Sequence, residues 1–384
     1  MLKTHKWLYI DCDFDYEHMK IGIDIRETVN EKTGKGYYAF HLTKALLAID
    51  TENEYFLYCD KEPADFGNHS NFEIKIIKSK GLFWHKKVLS DLYKEKIGVF
   101  LAPTSYIIPA LHNPKKLKVL MTVHDLIAFL YPENHNKKAV LIEKLTLGVA
   151  LKKVKKVLSV SENTKKDLIK KFGIKESLID IIHNSASDSY GVIEEDQCEA
   201  LREEKNLPKE FIFSVGTIEP RKNYTTLIEA YSKIKAHHPN VKLVIAGKKG
   251  WKSENVFKKI SELDLKEDVI FLGYVTEEEL AKIYNLATIF AYPSIYEGFG
   301  IPPLEAMKCG CPVITSNISS LPEVVNDAAI LVDPVSVEDL KNALHQLLSD
   351  PAMQENLKEK GFAQCDKFSW EISARKLLAI INQI

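Results

Sequence analysis

Ala287-Thr288-Ile289-Phe290-Ala291-Tyr292 runs into Pro293 and soon after into Tyr296-Glu297-Gly298-Phe299-Gly300-Ile301-Pro302-Pro303-Leu304-Glu305. The apolar run reads as a buried strand, and the proline pair opens a short helix that Gly310 closes. Proline suits a first helical turn because its missing N–H would have no partner there. The glycines allow a tight loop whose amides approach a ligand, and a helix N-terminus adds further donors. Glu297 precedes the loop. Glu305 is expected in the first turn of the helix, where the local field favours its ionised form. Two carboxylates framing a phosphate-sized cradle fit a ligand with hydroxyls at both ends and phosphate between, which describes a sugar nucleotide.

Outward from this stretch, apolar runs and helical patterns alternate. Strands are expected at Lys20–Ile25, Glu54–Cys59, Phe72–Ile77, Gly98–Leu101, Lys118–Thr122 and Val157–Val160. Helical spacing falls at Ala39–Ala48, Lys86–Lys96, Asn136–Lys152 and Glu162–Lys171. A second series of strands follows at Phe211–Val215, Val241–Ala246, Val269–Leu272, Thr288–Tyr292, Val313–Thr315 and Ala329–Val332. Such alternation predicts an α/β fold of two doubly wound, Rossmann-like domains facing a deep cleft, with ligands at the carboxyl ends of the strands. Residues 19–190 and 210–366 are the expected domains. A polar, acidic stretch from 184 to 209 holds the connection, placed at 191–209, and residues 367–384 form a closing helical segment. Residues 1–18, with Asp11, Asp13, Asp15 and Glu17, show no pattern; they are expected to be a weakly packed extension whose deletion leaves activity intact.

A length of 384 residues suits two domains, and 45% hydrophobic with 27% charged residues is a globular composition. The net charge of -1 argues against a dedicated nucleic-acid binder. Residues 1–190 hold 30 Lys+Arg against 24 Asp+Glu (net +6), and the remainder 22 against 29 (net -7). The basic half faces phosphates or an anionic membrane, or is simply a solvated lysine-rich surface. Six scattered cysteines, Cys309 and Cys311 among them, fit buried thiols of a reducing compartment better than a metal site. With no long apolar run and no signal-peptide core, the expected location is the cytoplasm or the inner face of the membrane.

Four further stretches carry chemistry. Thr33-Gly34-Lys35-Gly36 after the first strand is expected as a phosphate or acceptor loop, or a plain glycine turn. His124, at the end of Lys118–Thr122, is placed to bond a substrate hydroxyl or move a proton, or to cap the next turn. In Gly216-Thr217-Ile218-Glu219-Pro220-Arg221-Lys222-Asn223, two cations are expected to open a helix, a position that disfavours positive charge and so asks for an anion. Gly273-Tyr274-Val275 ends another strand and suits backbone contact with a base. The helix at 136–152, apolar residues mixed with lysines, fits a sheet-packed helix better than one lying on a membrane.

Together these stretches resemble the retaining glycosyltransferases of family 4, of the GT-B fold, and within it bacterial mannosyltransferases that use GDP-mannose. The resemblance rests on Gly34–Gly36, His124-Asp125-Leu126, Ser161-Glu162-Asn163-Thr164, Gly216–Asn223, the two glutamates eight residues apart, and Phe368-Ser369-Trp370 onward. It covers essentially everything from about Lys20 and implies that the closing helix crosses back to the first domain. By position, Glu305 binds the ribose, Arg221 and Lys222 bind the diphosphate, and Glu297 with Phe299, Gly300 and Ile301 meets sugar and phosphate. His124 lines the sugar site from the other domain. Where relatives often carry Pro-Asn-Gly-Val between domains, this chain has Ile182-His183-Asn184-Ser185-Ala186. The implied partners are a nucleotide-diphosphate sugar and a glycan or lipid-linked acceptor. No cofactor or metal is implied, so activity is expected to survive EDTA. The alternatives are a UDP-sugar transferase, a GT-B epimerase, or a nucleotide-sugar binder without turnover. A dehydrogenase is disfavoured, because no G-x-G-x-x-G follows either leading strand.

Overall fold

The β-branched runs become strands with ends shifted by a residue or so, and they sort into two parallel sheets. In a computed structural model describing residues 18–29, 34–132 and 137–384, the first sheet holds β1 (Lys20–Asp24), β2 (Glu54–Cys59), β3 (Phe72–Ile76), β4 (Val99–Ala102), β5 (Lys118–Val123), β6 (Lys156–Ser159) and β7 (Ile179–Ile181). The second holds β8 (Phe211–Val215), β9 (Lys242–Ala246), β10 (Val269–Gly273), β11 (Ile289–Tyr292), β12 (Val313–Ser316) and β13 (Ala329–Val332). Their orders are β3-β2-β1-β4-β5-β6-β7 and β10-β9-β8-β11-β12-β13. Every neighbouring pair is parallel. The order reverses between β1 and β4 and again between β8 and β11. At such a switch the flanking loops diverge, leaving a crevice beyond the carboxyl ends of the strands.

Burial explains the strand pattern. Strands β4, β11 and β12 are buried along their whole length, as parallel strands covered by helices on both faces must be. One apolar cluster runs from Ile21, Leu57 and Leu120 through Ile182 and Trp370 to Phe213, Tyr284 and Phe290, so the two sheets share a continuous core. The closing helix, Trp370–Asn382, is capped by Ser369 and buries Ala374, Leu377 and Ile381. It packs along the helix Gly34–Ile49 of the first half, and Lys118 reaches the backbone oxygen of Ile384.

Several expectations are corrected. Gly34, Lys35 and Gly36 form the first turn of the helix Gly34–Ile49 rather than a loop before it. The acidic stretch expected as a connection contains the helix Glu195–Glu204, which buries Cys198 and Leu201, one helical turn apart, against the helix Glu277–Leu286. Arg221 and Lys222 belong to a one-turn 3-10 helix, Pro220–Lys222; the α-helix Tyr224–Ile234 begins only after Asn223, at φ 59°. Of the extension expected over residues 1–18, residues 1–17 lie outside the described residues, as does Thr33.

Candidate active site

Both switch points open on one cavity of about 390 Å³ between the two sheets. It receives Gly34 and Lys35 from the β1 side, His124 from β5, Gly216 and Thr217 from β8, and Glu297 to Ile301 from the loop after β11. Two glycines make the approach possible. Gly216 adopts φ 142°, and a Cβ there would stand 3.0 Å from Lys222 Cε. A Cβ on Gly298 would stand 1.8 Å from the His124 carbonyl oxygen of the other half, so only glycine lets the loop dock.

That docking is reinforced. Ser161 and Thr164 donate to the Gly298 carbonyl at 2.6 and 3.2 Å. The Glu323 carboxylate accepts from the amides of Glu162 and Asn163 at the start of the helix Glu162–Phe172, and His183 lies 3.0 Å from it. A carboxylate at a helix N-terminus satisfies orphan donors and complements the dipole.

The cation pair does not wait for a ligand to neutralise it. Arg221 donates to Glu219 Oε1 from Nε and Nη2 at 3.1 and 2.8 Å, and its Nη1 sits 2.5 Å from Glu297 Oε2. Lys222 donates to Glu297 Oε1 at 2.8 Å and to the Tyr292 hydroxyl. Tyr292 and Ser294 donate to the same Glu297 oxygen at 2.8 and 2.7 Å. Two carboxylates thus compensate two cations inside the fold, which explains how charged side chains only 10–17% exposed are tolerated. Burial alone would raise the Glu297 carboxyl; Arg221 and Lys222 outweigh it and hold the group ionised, far below its usual range. Burial and Arg221 push the Lys222 ammonium down, with Glu297 opposing. Glu297 therefore lines the cavity with both oxygens engaged by the protein.

Glu305 has the opposite surroundings. It lies in the second turn of the helix Ile301–Lys308, not the first, and its partners are hydroxyls: Tyr284 donates at 3.0 Å and Tyr190 also donates. Pro302 and Pro303 remove two of the first amides, which leaves the helix end fewer free donors. Burial pushes the carboxyl up to about 7, Glu277 adding to the rise while the two tyrosines oppose it. The expectation of a field-stabilised carboxylate is corrected. Desolvation wins over the helix field.

His124 is buried, its ring edge-on to Tyr38 at 4.8 Å. Its Nε2 lies 2.7 Å from the Pro103 carbonyl, which can only accept, so Nε2 carries the proton and Nδ1 is left as an acceptor. Burial, with Lys35 nearby, lowers its pKa to about 4. The imidazole is neutral near pH 7 and its Nδ1 suits accepting a hydrogen bond.

Gly34, Gly216, Arg221, Lys222, Glu297, Phe299, Gly300, Ile301, Glu305 and His124 all line the cavity, whereas Gly36 is buried inside its helix and Val275 packs against the core; neither reaches the lining. The sequence reading missed Tyr37, Asn184, Tyr190, Glu277 and Trp370, which also line it. They come from helices and the connection, and no local pattern announces them. It also missed Lys35, a third cation, 3.5 Å from Glu143. Among the described residues no cluster of metal-ligating side chains occurs.

Comparison with known proteins agrees with this architecture. Residues 34–189 match the model of Glycosyltransferase Family 4, and residues 198–364 that of Glycosyl transferases group 1. The chain is 34% identical to O-antigen chain mannosyltransferase B of Escherichia coli, over 70% of this chain and 73% of that one. It is 33% identical to the serotype-specific mannosyltransferase WbdA of Escherichia coli over 67% of its own length, and spans only 32% of that longer protein. Among solved structures, HepE of Anabaena in complex with UDP and glucose superimposes with a TM-score of 0.77 at 17% identity, over 96% of this chain and all of that one.

Proposed function

The chain belongs to the family 4 (group 1) glycosyltransferases, retaining hexosyltransferases of the GT-B fold, and we propose that it moves mannose from GDP-mannose to an acceptor hydroxyl during assembly of a surface polysaccharide. Similarity to O-antigen mannosyltransferases supports the sugar and the setting. The observation that carries the chemistry is the preassembled Arg221–Lys222–Glu297 cluster at the mouth of β8. As the C1–O bond of the donor breaks, negative charge gathers on the departing diphosphate. Lys222 has one ammonium proton beyond those donated to Glu297 and Tyr292, and offers it there. Because the cluster is already in place, no reorganisation is needed when the charge develops. Glu297 acts as a positioning residue for the cations. Glu305 accepts from the ribose hydroxyls, and His124 Nδ1 accepts from a hydroxyl of the sugar. The acceptor oxygen attacks C1 on the face the diphosphate leaves, and its proton passes to the departing diphosphate oxygen.

The acceptor side bears on a second part of this reading. The helix Lys137–Leu151 buries Leu147 and Ala150 but leaves Leu141 58%, Leu145 66% and Val149 46% exposed in one helical stripe. Lys144 and Lys152 are exposed beside it, and Glu143 of the same helix holds Lys35 at the cavity. The buried side fits the sheet-packed expectation, and the exposed stripe supports a membrane-facing reading of the other side. An anionic lipid surface or a lipid-linked acceptor suits the exposed stripe. Leu145→Glu should abolish co-sedimentation with vesicles containing anionic lipid; unchanged binding would remove this helix from the contact.

Thermal shifts with GDP, UDP and ADP, followed by their sugars, test the donor. GDP and GDP-mannose should stabilise the protein most. HepE, a fold relative in complex with UDP, makes a UDP-sugar the second reading, and larger stabilisation by UDP would establish that one instead.

A further inference from the structure

Among the described residues the sheets end in the edge strands β3, β7, β10 and β13, and these are not alike. An edge presents a row of unpaired N–H and C=O groups, which proteins blunt with short strands, bulges, proline or lysine. β7 has three residues. The register of β10 shifts between Phe271 and Gly273, and the four residues of β13 run into Asp333-Pro334. β3 has five residues, no proline, and an unbroken register with β2 from Phe72 to Ile76. Its one lysine, Lys75, is already answered by Glu73 at 2.9 Å and Glu95 at 3.8 Å. The edge of β3 is left open.

The ladder decides which groups face outward. Tyr55 N donates to the Asn71 carbonyl and Ile77 N to the Cys59 carbonyl, both at 2.8 Å. Backbone direction alternates along a strand, so Glu73 and Lys75 also turn to β2, while Phe72, Ile74 and Ile76 turn their N–H and C=O away. The side chains of these three share the face of Tyr55, Leu57 and Cys59, and Ile74 and Ile76 are 36% and 38% exposed there.

We infer that two copies of this chain pair antiparallel along β3, about a two-fold axis at Ile74, into one continuous sheet. Ile74 then exchanges both hydrogen bonds with the partner's Ile74, and Phe72 exchanges both with the partner's Ile76. Apolar side chains meet apolar ones on one face. On the other, Glu73 falls opposite the partner's Lys75 in a non-hydrogen-bonded pair, where side chains approach most closely. Because Lys75 also holds Glu73 of its own strand, the charges of the two copies close into a ring of alternating sign. An axis at Glu73 or Lys75 instead sets like charges face to face, and one at Phe72 or Ile76 shortens the overlap. Charge and length therefore select a single register. The pairing is independent of the donor and acceptor readings above, since no residue of β3 lines the cavity.

Sedimentation equilibrium of the full chain up to about 200 μM tests it, because one strand pair makes a small interface and a weak dimer. A reversible monomer–dimer equilibrium is expected. Ile74→Pro should abolish it with the circular dichroism unchanged, because the N–H removed points to the partner and not to β2. Glu73→Lys and Lys75→Glu should each weaken self-association at least about tenfold, since like charges then face one another. Mixed in equal amounts, these two variants should recover the parent's affinity as a heterodimer, which no effect within one chain can produce. A chain monomeric across the range, a dimer that survives Ile74→Pro, or a mixture no tighter than its components overturns the pairing. So does a monomer whose Phe72, Ile74 and Ile76 amides resist hydrogen exchange, because another segment of the same chain then covers the edge.

Discussion

Glu297 and Glu305 stand eight residues apart on one strand–loop–helix unit, face one cavity and experience opposite fields. Glu297 is enclosed by an arginine, a lysine and two hydroxyls, and remains ionised at any ordinary pH. Glu305 is equally buried, bonds tyrosine hydroxyls and has a second carboxylate nearby; Lys222 opposes the rise but is the weakest of these influences, so the proton is held to about pH 7. Burial is common to both; the nearby formal charges decide the outcome. One carboxylate is already answered by the protein. The other is left for the ligand to answer, which divides the unit into a preassembled phosphate half and a responsive ribose half.

The largest effect should come from breaking the phosphate half. Lys222→Ala should lower kcat by about 10²–10³ with the fold intact, the scale of losing one positioned donor to developing charge. Near-normal turnover with normal circular dichroism would remove Lys222 from the chemistry. Next, Glu297→Ala leaves Arg221 with Glu219 alone and Lys222 without a carboxylate. Breaking a buried pair from one side costs about 3–5 kcal/mol, so denaturant unfolding should show a large loss of stability together with the loss of activity. A variant as stable as the parent would mean the cluster is not pre-compensated.

Glu305→Gln should act in the reverse direction and more mildly. The folded protein holds the Glu305 proton to about 7 against 4.5 for a free carboxyl. Stability linked to that proton is therefore complete below about 4.5 and is lost as the pH rises through 7. The amide has nothing to lose, so at pH 8 the variant should melt a few degrees above the parent, a difference that shrinks toward pH 5. An equal melting temperature at pH 8 would mean that Glu305 titrates normally.

The same contrast shows what a sequence can carry. Parallel strands covered on both faces leave β-branched runs, and the strands of both sheets were legible from them apart from β7, whose three residues are too short to stand out. The glutamate pair and the Arg221-Lys222 loop were legible as chemistry because they are local. Their energetics were not: Glu297 compensates the cations only once β8 and β11 lie side by side. Glu305 looked helix-stabilised because the proline pair drew the eye to the wrong turn. Tyr37, Asn184 and Trp370 belong to a helix, a connection and the closing helix. Their neighbourhoods carried the resemblance, but no local pattern assigns these side chains to a ligand until the chain crosses back and brings them to one cavity.

The division between the two carboxylates is tested most directly by GDP affinity measured calorimetrically from pH 5.5 to 8.5, in the parent and in Glu305→Gln. Ionisation of the terminal phosphate is common to both proteins and cancels in their ratio. An ionised Glu305 accepts from the ribose hydroxyls with both oxygens, whereas the protonated group must place its own hydrogen. The account predicts that the parent gains affinity relative to Glu305→Gln as the pH rises through about 7. A ratio that stays flat across the range would contradict it.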